Sequence, residues 1–585
     1  MIKDEIIKIL KDMGVKSEIE LSKPPKSEMG DFAFGCFDIA KLKKQNPVKV
    51  AKELVDNILK QVQNDSERDP SVPQDDKGVI QDLDTTSTDV SGYGASSGII
   101  KEVKAFGPYV NFYVNPQYLA KQVLEGMDEK KKSKEKIVVE YACPNTHKAF
   151  HIGHLRNVIT GESVIRILEY VGYDVKRVNY QGDVGMHIAK ALFGINQDLE
   201  EYEKTKSLSL KEKANYLGKA YARGAELFEK NEENKQKVVE INDLIYAQDK
   251  TIKEIYQETR QWSLDYFEDI YKKVGCSFNR YYFESEVYEK GIKIVNKFLK
   301  KKVFEVGDGG AIIFPGSKYG LHNRVFITSK GFPTYEAKDT ALAKLQYKDF
   351  KPEKIIHIVG KEQSEYFKVL FKSLEFTYPK LNGKEYHLAY GWVSLKSGKM
   401  SSRTGQVVLA TEIIKAVEEE VSKNTEDKEL VSKIGMSAIK YAFLKPGVRN
   451  DIKFDLKESV STVGDSGPYL LYILARIKSI IKKAGDIKTD YKISKTIKKE
   501  EKALLLKLSE FNEVVKKSAI DYDPSKIAQY LFDLAKLFNV FYENCPVLKV
   551  EEESVKNFRL NLIAKIEKTV EKGLYLLGIE SVEKM

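Results

Sequence analysis

Two histidines three positions apart, in His151-Ile152-Gly153-His154, have the type and spacing to do chemistry. They follow a β-branched run, Ile137 to Tyr141, and a polar loop from Cys143 to Phe150; Leu155, Val158, Ile159, Ile165 and Leu168 then recur at helical spacing. The pattern predicts a strand, a loop and a helix whose first turn carries both rings. Positions three apart share a helix face, so both imidazoles can point at one object beyond the helix N-terminus. That end offers unpaired N–H groups and a positive partial charge, which suit an anion. Gly153 has no Cβ and lets a bulky ligand approach the backbone. A nucleotide phosphate fits all three features, although such a pair alone also describes surface residues or half of a metal site.

Two further constellations stand downstream. Gly398-Lys399-Met400-Ser401-Ser402-Arg403-Thr404-Gly405 is a basic, hydroxyl-rich loop with glycines at both ends. Tyr335 and Asp339 are four apart, hence on one helix face, and Glu284 precedes them. Two carboxylates and a phenol would hold a guanidinium by charge-assisted, potentially bidentate hydrogen bonds. A pocket built on such bonds rejects analogues that leave them unmade. Tyr335 and Asp339 fit an ordinary surface pair as well, and no spacing rule reaches from Glu284 to them.

Together, an H-I-G-H after a first strand and a K-M-S-S loop after the last strands resemble the signature pair of class I aminoacyl-tRNA synthetases. The resemblance implies that His151 and His154 contact the phosphates of ATP and that Lys399 closes over them, with Gly153, Asn157, Met400, Ser401 and Ser402 completing the ATP site. Mg2+ would accompany the substrate, with no resident metal. Within the class the chain resembles arginyl-tRNA synthetases, in Gly30-Asp31-Phe32-Ala33-Phe34, in Gly107-Pro108-Tyr109-Val110-Asn111-Phe112 and in Gly182-Asp183-Val184-Gly185, where an aromatic is common at the third position. By that resemblance Glu284, Tyr335, Asp339 and Gln363 bind arginine, and Glu140 and Asn145 lie beside the amino-acid backbone. Tyr109 and Asn111 fall where an aromatic and an amide contact a D-loop base, although an aromatic strand residue also suits a core. Tyr542, in the helical C-terminal part, is the aromatic assigned to anticodon bases. Two departures stand out: Cys143 replaces the usual serine, and the signature loop lacks its second lysine, for which Lys148 is placed to compensate.

These residues need elements to position them. The resemblance and the periodicities give an α/β Rossmann-type catalytic domain with a parallel sheet over 134–455, carrying a helical insertion at about 195–275 that covers the site and contacts the acceptor stem. Strands are expected at Val175 to Tyr180, Ala311 to Phe314, Val325 to Thr328, Lys354 to Val359 and Tyr386 to Val393. Before it, residues 1–118 form a small α+β tRNA-recognition domain with a disordered insert over about 61–97, rich in Asp, Ser, Thr, Pro and Gly. After it, 456–585 form an all-α anticodon-binding domain.

Composition agrees and decides little. A chain of 585 residues holds several domains. A formal net charge of +10 is compatible with a nucleic-acid partner, and 31% charged residues of mixed sign equally describe a plain soluble protein. Cys36, Cys143, Cys276 and Cys545 are scattered, which indicates neither a disulfide framework nor a zinc ribbon. The start is charged, with no apolar signal core, and no apolar run is long enough to span a bilayer. The expectation is a cytoplasmic, monomeric arginine-tRNA ligase that uses ATP, L-arginine and tRNA(Arg) and requires tRNA for activation. The alternatives are another H-x-G-H nucleotidyltransferase and a non-catalytic tRNA-binding paralogue.

Overall fold

The computed structural model describes residues 2–68, 99–126, 133–396, 408–488, 493 and 497–585. The chain forms two compact units, one from 129–476, 513–532 and 570–585, the other from 1–128, 477–512 and 533–569. The helical segment after 456 therefore contributes to both.

The larger unit is built on a parallel sheet of β1 (Lys136–Glu140), β2 (Asp174–Gln181), β3 (Arg280–Phe283), β4 (Lys354–Gly360) and β5 (Glu385–Tyr390), in the order β5-β4-β1-β2-β3. Ile137, Val138 and Val139 of β1 are all buried, as a strand covered on both faces requires. The order reverses direction between β1 and β4, and the crevice beyond the carboxyl ends at such a point is where this architecture binds ligands. Helix α1 (Ile152–Tyr170) leaves β1 there, and nearly every residue from Ile152 to Leu168 is buried, Arg156, Asn157 and Ser163 included. At its far end Ser163 donates to the Leu576 carbonyl at 2.8 Å, and Arg166 to that of Tyr575 at 3.2 Å.

Four helices occupy the insertion: Leu199–Thr205, Leu210–Lys230, Glu232–Ala247 and α2 (Lys250–Val274). Trp262 is core here, packed with Val184, Ile188, Leu192 and Leu217. Helix α3 (Glu284–Leu299) follows β3, and α4 (Tyr335–Phe350) precedes β4.

Three strand expectations change. The segments near 311–314 and 325–328 form Ile312–Phe314 and Arg324–Ile327, which pair antiparallel with each other and with Glu305–Val306 in a separate sheet. No crossover helix separates them, and parallel pairing needs one. The run from Tyr386 to Val393 breaks at Gly391-Trp392 into β5 and Val393–Leu395, the latter paired with Ile452–Phe454. Strand β3 is a short aromatic run without a long apolar signal, and the sequence pattern does not reveal it.

In the smaller unit Leu21–Ser22, Phe32–Gly35, Tyr109–Val114 and Ile100–Phe106 form, in that order, an antiparallel sheet. The helix Pro47–Arg68 runs past the point where the disordered insert was expected to begin; the rest of that expected insert, 69–97, lies outside the described residues. Gln61, Gln63 and Glu67 carry helical preference enough to extend it. Farther along the chain, Glu501 and Arg559 form a buried ion pair at 2.7 Å. Among the described residues no helix is long and apolar enough to cross a membrane.

The helices Met186–Ile195 and Leu210–Lys230 touch backbone to backbone at Gly194 and Gly224, where an added Cβ on Gly224 would strike the Lys190 carbonyl. Gly224→Ala is expected to destabilise the insertion by about 1–3 kcal/mol, seen as a lowered thermal midpoint by circular dichroism; an unchanged midpoint would contradict this packing.

Candidate active site

The histidine pair begins α1. His151 is the residue before the first turn, and its Nδ1 accepts from the backbone N–H groups of Gly153 at 3.1 Å and His154 at 3.3 Å. His154 Nδ1 in turn accepts from the His151 N–H at 3.3 Å. Both Nδ1 atoms are thus acceptors, which leaves the ring proton of each neutral imidazole on Nε2. The rings lie side by side, centroids 3.8 Å apart and 20° from parallel. Burial, then the charge of Lys148, holds His151 below its ordinary pKa; burial, His151 and Lys148 do the same for His154. The site therefore presents two neutral N–H donors. Two helix N–H groups expected to serve an anion are instead taken by His151.

The loop between β1 and α1 is strained, with Ala142 at φ 69°, Cys143 at φ 46° and His147 at φ 58°. Non-glycine residues occupy that region at a cost and need surroundings that hold them there. Asn157 Oδ1 accepts from Ala142 N–H at 2.6 Å, Asn179 Oδ1 from Cys143 N–H at 3.2 Å, and Ser263 Oγ from His147 N–H at 2.9 Å. His147 also meets Thr259 Oγ1 of α2 at 2.8 Å, and burial pushes its imidazole down to about 3. Asn145 bridges to Gly182, leaving no room for a side chain there.

Lys399, Met400, Ser401 and Ser402 lie outside the described residues, but the residues on either side of that loop are fixed. Ile152 N–H donates to the Val408 carbonyl and Ala410 N–H to the Phe150 carbonyl, each at 2.9 Å, so the returning chain is anchored against the histidine turn. On the entering side stands fully buried Arg156. Its guanidinium donates to the carbonyls of Gly391 (2.6 Å), Trp392 (2.9 Å), Val448 (2.9 Å) and Asn450 (2.7 Å). Burial lowers it to about 10, and it stays cationic.

The acidic pocket lies where β2, α3 and α4 meet. Glu284 opens α3 and is 2% exposed. Its neighbour Ser285 is held by Asp183, which accepts from Ser285 N–H at 2.8 Å, Ser285 Oγ at 2.7 Å and Arg260 Nε at 2.9 Å. Asp339 accepts from Tyr366 through Oδ2, while Oδ1 has no hydrogen-bond partner among the described residues. Burial, with Glu140 and Glu284 behind it, pushes Asp339 up to about 7 against the Tyr366 hydrogen bond. The buried Tyr180 hydroxyl also lacks a hydrogen-bond partner among the described residues and feels Asp339 and Glu284. Tyr335 is 55% exposed, its hydroxyl raised to about 12 by burial, Glu284 and Asp339. Lys148 links the two halves of the site, since its charge acts on His151, His154 and Glu284. Burial lowers its own pKa, opposed by Glu284. Gln363 is exposed just past the end of β4.

Three site assignments change. Asn157 has its carbonyl on Ala142 and its amide on the Ile358 carbonyl at 2.7 Å, so it positions the loop. Glu140 accepts from His357 Nδ1 at 2.9 Å and from Gln346, so its carboxylate faces a buried cation, not an amino-acid backbone. His357 contacts Glu385 at 2.7 Å on its other side; burial opposes its charge, but the two carboxylates hold it well above its ordinary value. Asn111 is 1% exposed and donates to the Met29 carbonyl at 2.6 Å, turned away from any base, whereas Tyr109 is 39% exposed against Phe37. Tyr542 is 43% exposed and stacks with Phe538. Arg156, Tyr180, Lys338 and His357 join the site without having been expected there. His357, polar within an apolar β run, carries a visible signal in the sequence. Among the described residues no group of three His, Cys, Asp or Glu is placed to hold a metal.

Comparison with known proteins agrees with this geometry. Residues 116–456 match tRNA synthetases class I (R), catalytic domain, 470–585 the DALR anticodon binding domain, and 1–66 the arginyl tRNA synthetase N terminal domain. The fold and site define a class I aminoacyl-tRNA synthetase. Arginine--tRNA ligase of Treponema denticola is 31% identical, over 98% of this chain and 96% of its own, and that of Clostridium acetobutylicum 30%, over 100% and 99%. The solved Thermus thermophilus arginyl-tRNA synthetase superposes with a TM-score of 0.78 at 25% identity, covering 100% of this chain and 99% of that one. The chain belongs to the arginyl-tRNA synthetase family.

Two outcomes follow from the geometry. A cationic substrate pairs with ionised Asp339, so its KM should be flat above about pH 7 and rise about tenfold per unit below it; steady-state kinetics showing no such rise, or an unaffected Asp339→Asn variant, would contradict the assignment. Arg156→Lys keeps the charge but cannot reach four acceptors, and displacement of the signature-loop entry should lower kcat/KM for ATP by about tenfold or more; wild-type ATP kinetics would contradict the clamp.

Proposed function

We infer that the chain is an arginine-tRNA ligase acting as a cytoplasmic monomer. The arginine carboxylate attacks the α-phosphorus of ATP in line, forming arginyl-adenylate and pyrophosphate, and the arginyl group then passes to the 3′-terminal ribose of tRNA(Arg). Negative charge redistributes over phosphate oxygens in the first step, and prearranged donors stabilise it. His151 and His154 supply Nε2–H donors, Lys148 and Lys399 supply positive charge, and Gly153, Met400, Ser401 and Ser402 complete the ATP site. Mg2+ comes as part of the substrate, bound to ATP.

Glu284, Tyr335, Asp339, Gln363 and Asn145 receive arginine; Tyr109 and Tyr542 contact tRNA. The domains divide as 1–118 for tRNA recognition, 134–455 for catalysis and 456–585 for the anticodon. The observation that carries this reading is the single lysine, Lys148, whose charge reaches both the imidazole pair and the carboxylate pocket. A phosphate-binding turn near a site for a cation is what the first step requires, and the reach of that one charge supports this reading.

Charging of total tRNA with each of the twenty amino acids tests the reading. Arginine alone should be attached, His154→Ala should lose about a hundredfold or more in kcat, and arginine-dependent pyrophosphate exchange should need tRNA. Charging of another amino acid, or a fully active variant, would refute it.

A further inference from the structure

Lys338 is 4% exposed, and its Nζ lies 2.8 Å from Glu284 Oε2. The same ammonium stands 4.6 Å from the ring centre of Tyr335, one turn earlier on α4. This is a costly place for a cation. It sits in the first turns of a helix, whose positive end disfavours it, and both partners have left water. A buried ion pair is weak grounds for stability, so its position beside the carboxylates invites a functional account.

The pocket contains Glu284 and Asp339, and Glu284 adds a small part to the upward shift that burial gives Asp339. An ammonium is a compact point charge with three donors, a guanidinium a planar fork with five. With Oε2 of Glu284 paired to an ammonium, Asp339 Oδ1 and the Tyr180 hydroxyl are buried acceptors with no hydrogen-bond partner among the described residues. A forked donor can serve separate acceptors, whereas a point charge is best placed against one carboxylate, the place that Lys338 fills.

We propose that Lys338 is a specificity-determining residue: its ammonium, held on Glu284, occupies the position a substrate ammonium would need, so that the pocket admits a guanidinium and excludes lysine. The proposal rests on the reading of this pocket as the arginine site. Exclusion here comes from a built-in competitor, not from a better fit to the right substrate. Lys338 need not touch the transferred group; it acts by claiming one carboxylate.

The test compares kcat/KM for arginine and for lysine in the full-length enzyme with ATP and tRNA, for wild type, Lys338→Ala and Lys338→Arg. Lys338→Ala should lower the arginine-to-lysine ratio by about tenfold or more, chiefly through a rise for lysine, and Lys338→Arg should keep it within about threefold. Methylammonium should restore discrimination in the alanine variant by refilling the ammonium position, an effect that a packing role would not produce. Equal losses for both amino acids, or no response to methylammonium, would overturn the proposal while leaving arginine charging by wild type intact. Wild type that charges no arginine would refute the reading of the pocket and this proposal with it. If Lys338→Ala does not fold by circular dichroism, Lys338→Met, close in length, takes its place in the same comparison: a lowered ratio supports the proposal and an unchanged ratio overturns it.

Discussion

A guanidinium buried among four backbone carbonyls is the interaction on which the site depends. Arg156 stands one turn into α1, and Gly391, Trp392, Val448 and Asn450 are far from it in sequence. Carbonyls that end a strand inside a protein must find donors, and one side chain with five N–H groups can satisfy several. The charge is expensive to bury, and the multiple charge-assisted bonds offset that cost, each on the order of 1.5–3 kcal/mol. The helix carrying the histidines and the chain entering the signature loop are therefore fixed relative to each other.

Around that frame the polar groups are segregated by role. Donors gather at the start of α1, where His151 and His154 are neutral and keep their ring protons on Nε2 while Nδ1 secures the helix turn. Acceptors gather where β2, α3 and α4 meet, and Asp339 Oδ1 and the Tyr180 hydroxyl have no hydrogen-bond partner among the described residues. Behind the acceptors, His357 bridges Glu140 and Glu385, and the charge of Glu140 still raises Asp339. Strain in the 142–147 loop is held by amide and hydroxyl side chains from three different elements. That pattern belongs to a site kept rigid before its substrates arrive, which is how electrostatic stabilisation of a transition state is achieved without reorganisation at the moment of reaction.

Much of this is legible in the sequence. The strand, loop and histidine helix can be read because β-branched runs and 3.6-residue periodicity are local signals, and the acidic pair on α4 because its spacing is helical. Glu284 joins that pair only by resemblance, since the link between α3 and α4 is tertiary. Asn157, Glu140 and Asn111 are assigned ligand contacts by resemblance alone; the structure shows their groups engaged by the backbone of Ala142, by His357 and by Met29. Arg156 and Lys338 stay hidden for the converse reason. A lone basic residue on a helix reads as solvated, and nothing local reveals that its partners lie some 50 to more than 200 residues away.

We propose that phosphate donors and a carboxylate pocket flank one point of attack. A crystal structure with a nonhydrolysable arginyl-adenylate analogue tests it most directly. The guanidinium is expected within hydrogen-bond distance of Asp339 Oδ1, with the phosphate mimic beside the Nε2 atoms of His151 and His154. An analogue whose side chain lies away from Asp339, or whose phosphate mimic is out of reach of both imidazoles, would contradict it.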